Sequence, residues 1–270
     1  MFLAKFFSSE GMDLLPDGYL FTLPHFVYMA ASVLFVLYIV LWLKIDNPKR
    51  NKILVIVMCG LLWFFKYAGE AVFIYESLAY ETPVSSFTHG FWDWRTLISF
   101  QICGVNNVLL PIAILFNVKP LKDFTFVSSI IGGTLVILYP STVLFGDPFV
   151  LTFPMLRSLI VHMILVGLPL FLIRTGEFRL EWKHWKRTLI GTLLMIAWPM
   201  YGNLVVDPGA NYMFLMNNPF YGGPIPVFNA LPVGIHVIVL MPLVFGLIAL
   251  TYVILLKWQK RLDKRPIPQT

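Results

Sequence analysis

The chain has 270 residues, of which 58% are hydrophobic, 16% aromatic and 13% charged, and its formal net charge is +6. Charge at about half the level of a soluble domain excludes a soluble globular enzyme and a disordered chain. In so apolar a sequence the basic excess marks loops at one membrane face, so no nucleic-acid partner is expected.

One bundle of six to eight spanning helices, at about 20 residues each plus loops, uses the whole length. A single transmembrane domain over 1–270 is the expectation. The opening "MFLAKFFSSEGMDLLPDGYLF" has one Lys, a very short apolar start and acidic residues, which makes a poor signal peptide. The two cysteines, Cys59 and Cys103, both fall inside apolar runs, so neither a disulfide framework nor a zinc site is expected, and no metal or other cofactor.

Seven apolar runs follow, near 22–43, 53–75, 96–117, 124–145, 155–173, 188–206 and 230–256. Backbone groups in lipid must be satisfied internally, and "ASVLFVLYIVLWL" is continuously apolar rather than alternating, so the fold class is all-α, a polytopic membrane bundle of about seven helices. His25 opens the first run, and Lys66 and Glu70 lie toward the far end of the second. The third contains Cys103, Asn106 and Asn107; Asn106 and Asn107 follow the cysteine by three and four residues and share its helical face. Arg157 opens the fifth run and His162 follows in "RSLIVHMILVG". Asn203 is near the end of the sixth, ahead of "PGANYMFLMNNP" with Asn211 and Tyr212.

Sixteen of the 20 Lys and Arg residues fall in the connections after runs 1, 3, 5 and 7. By the positive-inside rule the N-terminus is outside and the C-terminus cytoplasmic, in a multi-pass protein of the cell membrane. Runs 3 and 5 then both descend from the outer face. Cys103 and His162 each lie about seven residues into their run, roughly 10 Å deep at 1.5 Å per residue.

Polar groups in a membrane are costly and usually face the bundle interior, so this collection in the outer half suggests a site opening outward. A thiol needs an adjacent imidazole to remove its proton, and an amide such as Asn106 or Asn107 can stabilise the oxyanion formed when a lipid ester carbonyl is attacked. Each residue also has a plain structural role open to it. Cys59 and Cys103 can pack as small hydrophobes, Lys66 and Glu70 can neutralise one another across a turn, and the asparagines can join helices. Trp92, Trp94 and Trp198 fit the aromatic belt at the membrane interface. The 207–229 segment, rich in proline and glycine, reads as a lid.

"FTLPHFVYM", "WRTLISFQICGVNNVLLPIAIL", "MLRSLIVHMILVGLPLFL" and "GANYMFLMNNP" resemble the bacterial YwaF-like integral membrane proteins, related to transmembrane protein 164, from Phe21 to about Leu256. The family commonly has a leucine-, proline- and histidine-rich approach to its cysteine; this chain has Ile98, Ser99, Phe100 and Gln101 there. The resemblance implies acyl transfer between lipids, with a cysteine nucleophile and a histidine base that fall on Cys103 and His162. A more distant likeness is to androgen-induced-gene-type hydrolases of fatty-acid esters, which use threonine and histidine.

Three classes of function remain. The first is a Cys/His acyltransferase or acyl-ester hydrolase acting on phospholipid or another acyl lipid. The second is a transporter or ligand-binding protein using Lys66, Glu70, Arg157 and the histidines. The third is a seven-helix receptor or light sensor, which the last run disfavours because it has no lysine at its middle. Oligomeric state is not encoded in any motif.

Overall fold

Helices are the only regular elements among the described residues of this computed structural model, which are 6–7, 22–43, 47–79, 94, 99–139, 152–218, 220–222 and 227–264. Helix α1 runs Leu23–Leu37 and continues through a widened turn, Tyr38–Trp42. Then come α2 (Pro48–Ala79), α3 (Ile102–Leu115), α4 (Lys119–Leu138) and α5 (Phe153–Arg174). Helix α6 (Trp185–Tyr201) follows a single 3₁₀ turn, Trp182–His184, and widens at Gly202–Val206; α7 spans Ile235–Asp263. Helices α1, α4 and α5 each carry proline in the first turn, where its missing N–H costs nothing.

Six helical stretches are long and apolar enough to cross a membrane. The third run is the exception: Gln101 is extended and α3 begins only at Ile102, not near 96. Its 14 residues cover about 21 Å at 1.5 Å per residue, short of roughly 30 Å of hydrocarbon. The expected start of that run, and the end of the fourth beyond 139, lie outside the described residues. The seventh helix starts five residues after the expected 230, because a 3₁₀ turn at Phe228–Ala230 and Gly234, at φ 85°, intervene.

Helices α4 and α5 are the most enclosed, while α7 has few buried residues along its apolar length, the rest being half-buried or exposed. Ile238, Leu250 and Ile254 on α7, Leu193 and Leu194 on α6, and Ile53 and Phe64 on α2 face outward. So broad an apolar exterior suits lipid and not water. The main core gathers Cys59 and Leu62 of α2, Leu110 of α3, Phe126 and Val127 of α4, and Ile164, Leu165, Leu168 and Phe171 of α5.

Between lipid-solvated helices there is little hydrophobic drive, so association relies on close packing and hydrogen bonds. Helix α4 supplies both through "SSIIGG". Ser128 Oγ accepts from Asn106 Nδ2 of α3 at 3.0 Å. A Cβ at Gly133 would sit 2.7 Å from Val166 Cγ2 and 3.0 Å from the His162 carbonyl oxygen of α5.

At the basic end, the segment after α5 ties the helices together. Arg187 donates to Asp123 at 2.9 Å and Thr188 Oγ1 to the Asp123 carbonyl at 2.9 Å, joining α6 to α4. Tyr252 Oη donates to the Glu181 carbonyl at 2.7 Å, and Gln259 exchanges two hydrogen bonds with the Leu180 backbone. Arg174 Nη1 donates to the Ile39 carbonyl at 2.8 Å, in the widened turn of α1.

Adding one methyl group tests the α4–α5 contact. Gly133→Ala is expected to lower stability in detergent by about 1–3 kcal/mol, since it meets a backbone carbonyl that cannot rotate away. Gly60→Ala, with nothing within 4 Å of its added Cβ, is expected to be neutral or to stabilise by up to ~1 kcal/mol. Thermal unfolding of the two variants checks the contrast.

Candidate functional site

Cys103 is the second residue of α3 and is partly buried. Its sulfur packs on α4, where a Cβ added at Gly132 would lie 3.3 Å from Sγ. The adjacent glycine, Gly133, meets the His162 backbone. Thus α3 and α5 deliver the thiol and the histidine to neighbouring residues of one helix. The descent of seven residues expected within the third run is absent, since Cys103 instead belongs to the first turn of a helix that starts late.

His162 is 8% exposed. Its Nδ1 lies 2.7 Å from the Ser158 carbonyl oxygen and 3.0 Å from Ser158 Oγ. A carbonyl only accepts, so Nδ1 carries the proton and Nε2 the lone pair. No hydrogen bond joins Cys103 to His162. Ser158 was not singled out from sequence; its i, i+4 spacing to His162 on one helix was the available signal.

Tyr28 of α1 is a second group that sequence reasoning passed over. It is 2% exposed and packs with Met155 and Val166 of α5 and Ile137 of α4. Its hydroxyl makes no hydrogen bond among the described residues. The polar groups that influence it are the Ser158 hydroxyl and the Cys103 thiol. Its signal was three-residue spacing after His25 in "LPHFVYM", which places both on the face of α1 turned to the bundle.

The asparagines divide. Asn106 is committed to Ser128, as helix-joining glue. Asn107, one turn below Cys103, is 3% exposed and its Oδ1 has no partner. His25 is fully buried, with Nε2 3.4 Å from the Ile137 carbonyl of α4. Cys59 is fully enclosed in the apolar core.

Lys66 and Glu70 form an ion pair across one turn of α2, with Lys66 3% exposed. The Arg157 guanidinium of α5 lies directly over Gly69, where any Cβ would strike it, and both Glu70 and Lys66 feel its charge. Among the described residues, Lys66, Glu70 and Arg157 thus form one charged cluster between α2 and α5.

The loop after α6 is built by its asparagines. Asn203 Oδ1 accepts from Tyr212 N at 2.7 Å while Asn203 Nδ2 donates to Tyr212 O at 3.1 Å. Asn211 Oδ1 accepts from Met216 N and Asn217 N, both at 3.0 Å, and Tyr212 Oη donates to Asp207 at 3.0 Å. Met213 and Phe214 both adopt left-handed backbone, at φ 56° and 57°, which costs roughly 1–2 kcal/mol per residue. Each is pinned from elsewhere: Met213 N donates to Gln101 Oε1 at 3.1 Å, and His236 Nε2 of α7 donates to the Phe214 carbonyl at 2.9 Å.

Residues 99–101, where the chain departs from the approach expected by resemblance, are what fasten this loop. Phe100 stacks on Trp198 with centroids 4.8 Å apart and packs on Tyr212 at 4.9 Å. Trp198 Nε1 donates to the Ser99 carbonyl at 3.0 Å. The loop therefore lies against the segment that leads into Cys103. Trp92 falls outside the described residues.

Residues 20–255 match the model of the TMEM164 family. No curated protein and no solved structure matches the chain.

The shared carboxylate makes the charge cluster asymmetric. Glu70→Leu removes the carboxylate paired with the buried Lys66 ammonium and is expected to cost about 3–5 kcal/mol. Lys66→Met leaves Glu70 with Arg157 and is expected to cost well under half of that. Detergent unfolding of the two single variants and the double variant checks the ordering, with the double closer to Lys66→Met than to Glu70→Leu.

Proposed function

We propose, from the premise that this chain belongs to the TMEM164 family, that this multi-pass membrane protein transfers or hydrolyses acyl groups of membrane lipids through Cys103 and His162. The basic loops support an arrangement with the N-terminus outside, one transmembrane domain over the whole chain, and the site in the outer half of the cell membrane. Phospholipid or a related acyl lipid is the partner, since an ester carbonyl sits just below the headgroup boundary.

One observation carries the reading: the imidazole is held as a base. Its Nδ1–H is committed to the Ser158 carbonyl at 2.7 Å, which fixes the tautomer and leaves the Nε2 lone pair for chemistry. Cys103 packs on the glycine next to the one that touches the His162 backbone.

In the reaction, Nε2 takes the thiol proton through a bridging water or the substrate's own hydroxyl. Sulfur bonds to the ester carbonyl carbon, and the carbonyl π pair moves to oxygen. Collapse restores the C=O and breaks the ester C–O bond, and the leaving alkoxide takes the proton back from His162. A lipid hydroxyl or water then attacks the thioester by the same steps in reverse.

A transport reading draws on the charged groups Lys66, Glu70 and Arg157 at membrane depth. Helix α2 and helix α5 are unbroken at that level, without the discontinuous helices that line many transporter sites.

Purified protein incubated with fluorescent-acyl phosphatidylcholine is expected to form an acyl adduct that hydroxylamine releases. Cys103→Ser abolishes it, His162→Ala lowers its rate by about 10²–10⁴-fold, and Cys59→Ser leaves it unchanged. An adduct that survives Cys103→Ser, or disappears in Cys59→Ser, overturns the assignment.

A further inference from the structure

One turn beyond Cys103 the bundle encloses two polar side chains whose oxygens have nothing to bond to. Asn107 is 3% exposed and Ser129 is fully buried. Neither Asn107 Oδ1 nor Ser129 Oγ has a hydrogen-bond partner among the described residues. The residues just before them in sequence, Asn106 and Ser128, bond to each other at 3.0 Å. Apolar residues of the same shape would spare the bundle this desolvation, so an amide and a hydroxyl kept there are suited to a ligand that brings an oxygen.

Helical register places both groups on the side where the thiol and α5 stand. Helices α3 and α4 run antiparallel, since Cys103 meets Gly132 and Asn106 meets Ser128. One residue past the Asn106–Ser128 pair the side-chain direction turns by about 100° on each helix, and because the helices run in opposite senses both turns go to the same side. Asn107 follows Cys103 by four residues and shares its face. Ser129 precedes Gly132 and Gly133 by three and four residues, and these glycines receive the Cys103 sulfur and the His162 backbone. Side chains on a helix lean toward its N-terminus, which carries the Asn107 amide back toward the level of the sulfur. The way in is the first turn of α3: Gln101 to Val105 are all half-buried, and enclosure begins with Asn106 and Asn107.

Resting on the Cys103–His162 reading above, we infer that Asn107 and Ser129 form the oxyanion site of that reaction, with Asn107 Nδ2 and Ser129 Oγ donating hydrogen bonds to the oxygen of the acyl carbonyl that Cys103 attacks. A half-turn of the amide exchanges Oδ1 and Nδ2, so its buried end can offer the NH2 group. As sulfur bonds to the carbonyl carbon and the π pair moves onto oxygen, both hydrogen bonds strengthen and neither donor gives up its proton. When the C=O re-forms, the ester C–O bond breaks and the leaving alkoxide takes the proton held by His162. The donors matter most where negative charge is greatest, in the tetrahedral intermediate. Asn106, whose amide is committed to Ser128, has no part in it.

The test separates attack on a carbonyl from ordinary thiol reactivity. In full-length protein carrying Cys59→Ala, so that Cys103 is the single thiol, two reactions are followed in detergent micelles. One is acylation by p-nitrophenyl hexanoate, read as the p-nitrophenolate burst and the mass of the adduct. The other is alkylation by iodoacetamide, a displacement at an sp³ carbon that forms no oxyanion. Asn107→Leu is expected to slow the burst by about 10²–10³-fold and Ser129→Ala by about 10-fold or more. Alkylation stays within about two-fold in both, and the midpoint of thermal unfolding is unchanged or raised, since each change replaces an unpartnered polar group by an apolar one.

An Asn107→Leu burst within about three-fold of the parent overturns the inference, and the same result in Ser129→Ala overturns the part given to the hydroxyl. Equal slowing of both reactions in Asn107→Leu also overturns it, since the amide would then act on the sulfur; so does a lowered unfolding midpoint with both reactions lost, which makes its role structural. Cys103→Ser in the same background distinguishes the parent reading: a burst that persists there removes the nucleophile itself, whereas a burst lost in Cys103→Ser and kept in Asn107→Leu removes only the oxyanion site.

Discussion

Two glycines of α4 set how closely the polar elements of this bundle can meet. Gly132 receives the Cys103 sulfur and Gly133 receives the backbone of α5 at His162. With a side chain at either position α3 or α5 stands off by the width of a methyl group or more. Because lipid tails are as apolar as the helices, little else compels α3, α4 and α5 to this separation. The Asn106–Ser128 hydrogen bond supplies the complementary polar contact little more than one turn away from the glycines along α4, so small residues and one amide together fix the level at which α3 enters.

The buried polar groups fall into those committed to the fold and those left over. His25, Asn106, Asn203, Asn211 and Tyr212 direct hydrogen bonds to neighbouring helices or to the loop after α6. Each satisfies backbone or side-chain groups that lipid cannot, which offsets the cost of carrying it. The Asn107 carbonyl oxygen, on the same helix as Cys103 and one turn further on, has no partner among the described residues. A bundle that satisfies its asparagines so thoroughly elsewhere makes this residue of unspent groups the place where chemistry is best sought.

Helical class and most of the helix positions were legible, because a spanning segment must be long, apolar and internally hydrogen-bonded. The third segment was not, for a physical reason. Ile98 to Gln101 are apolar or small enough to continue a hydrophobic run, but Gln101 spends its side chain on Met213, and Ser99 spends its hydroxyl on the Gln101 N–H and its carbonyl on Trp198. Tertiary partners from α6 and the following loop replaced the helical bonds that periodicity assumed. Tyr28 and Ser158 escaped notice for a different reason: tyrosine and serine are ordinary in apolar helices, and only the packing of α1 on α5 shows Tyr28 buried there. The pairing of Lys66 with Glu70 was readable from i, i+4 spacing, whereas Arg157 joining them required Gly69 to be seen beneath it.

The late start of α3 also bears on charge. The first turn of a helix presents N–H groups without intrahelical partners, and Cys103 belongs to that turn. The favourable field there is worth about 0.3–1 kcal/mol to a negative charge. Removing a charge from water into a packed bundle costs several kcal/mol, so the helix end alone cannot sustain a sulfur or oxygen anion. The deficit has to be met by groups that act at the moment charge appears, a base that takes the thiol proton and a donor that meets the new oxyanion. In the reading proposed above, His162, with its tautomer fixed by Ser158, fits the first need. The strained Met213–Phe214 turn, pinned to Gln101 and His236, adds a third condition by packing against the entry to α3: water kept away from that entry strengthens every one of these interactions.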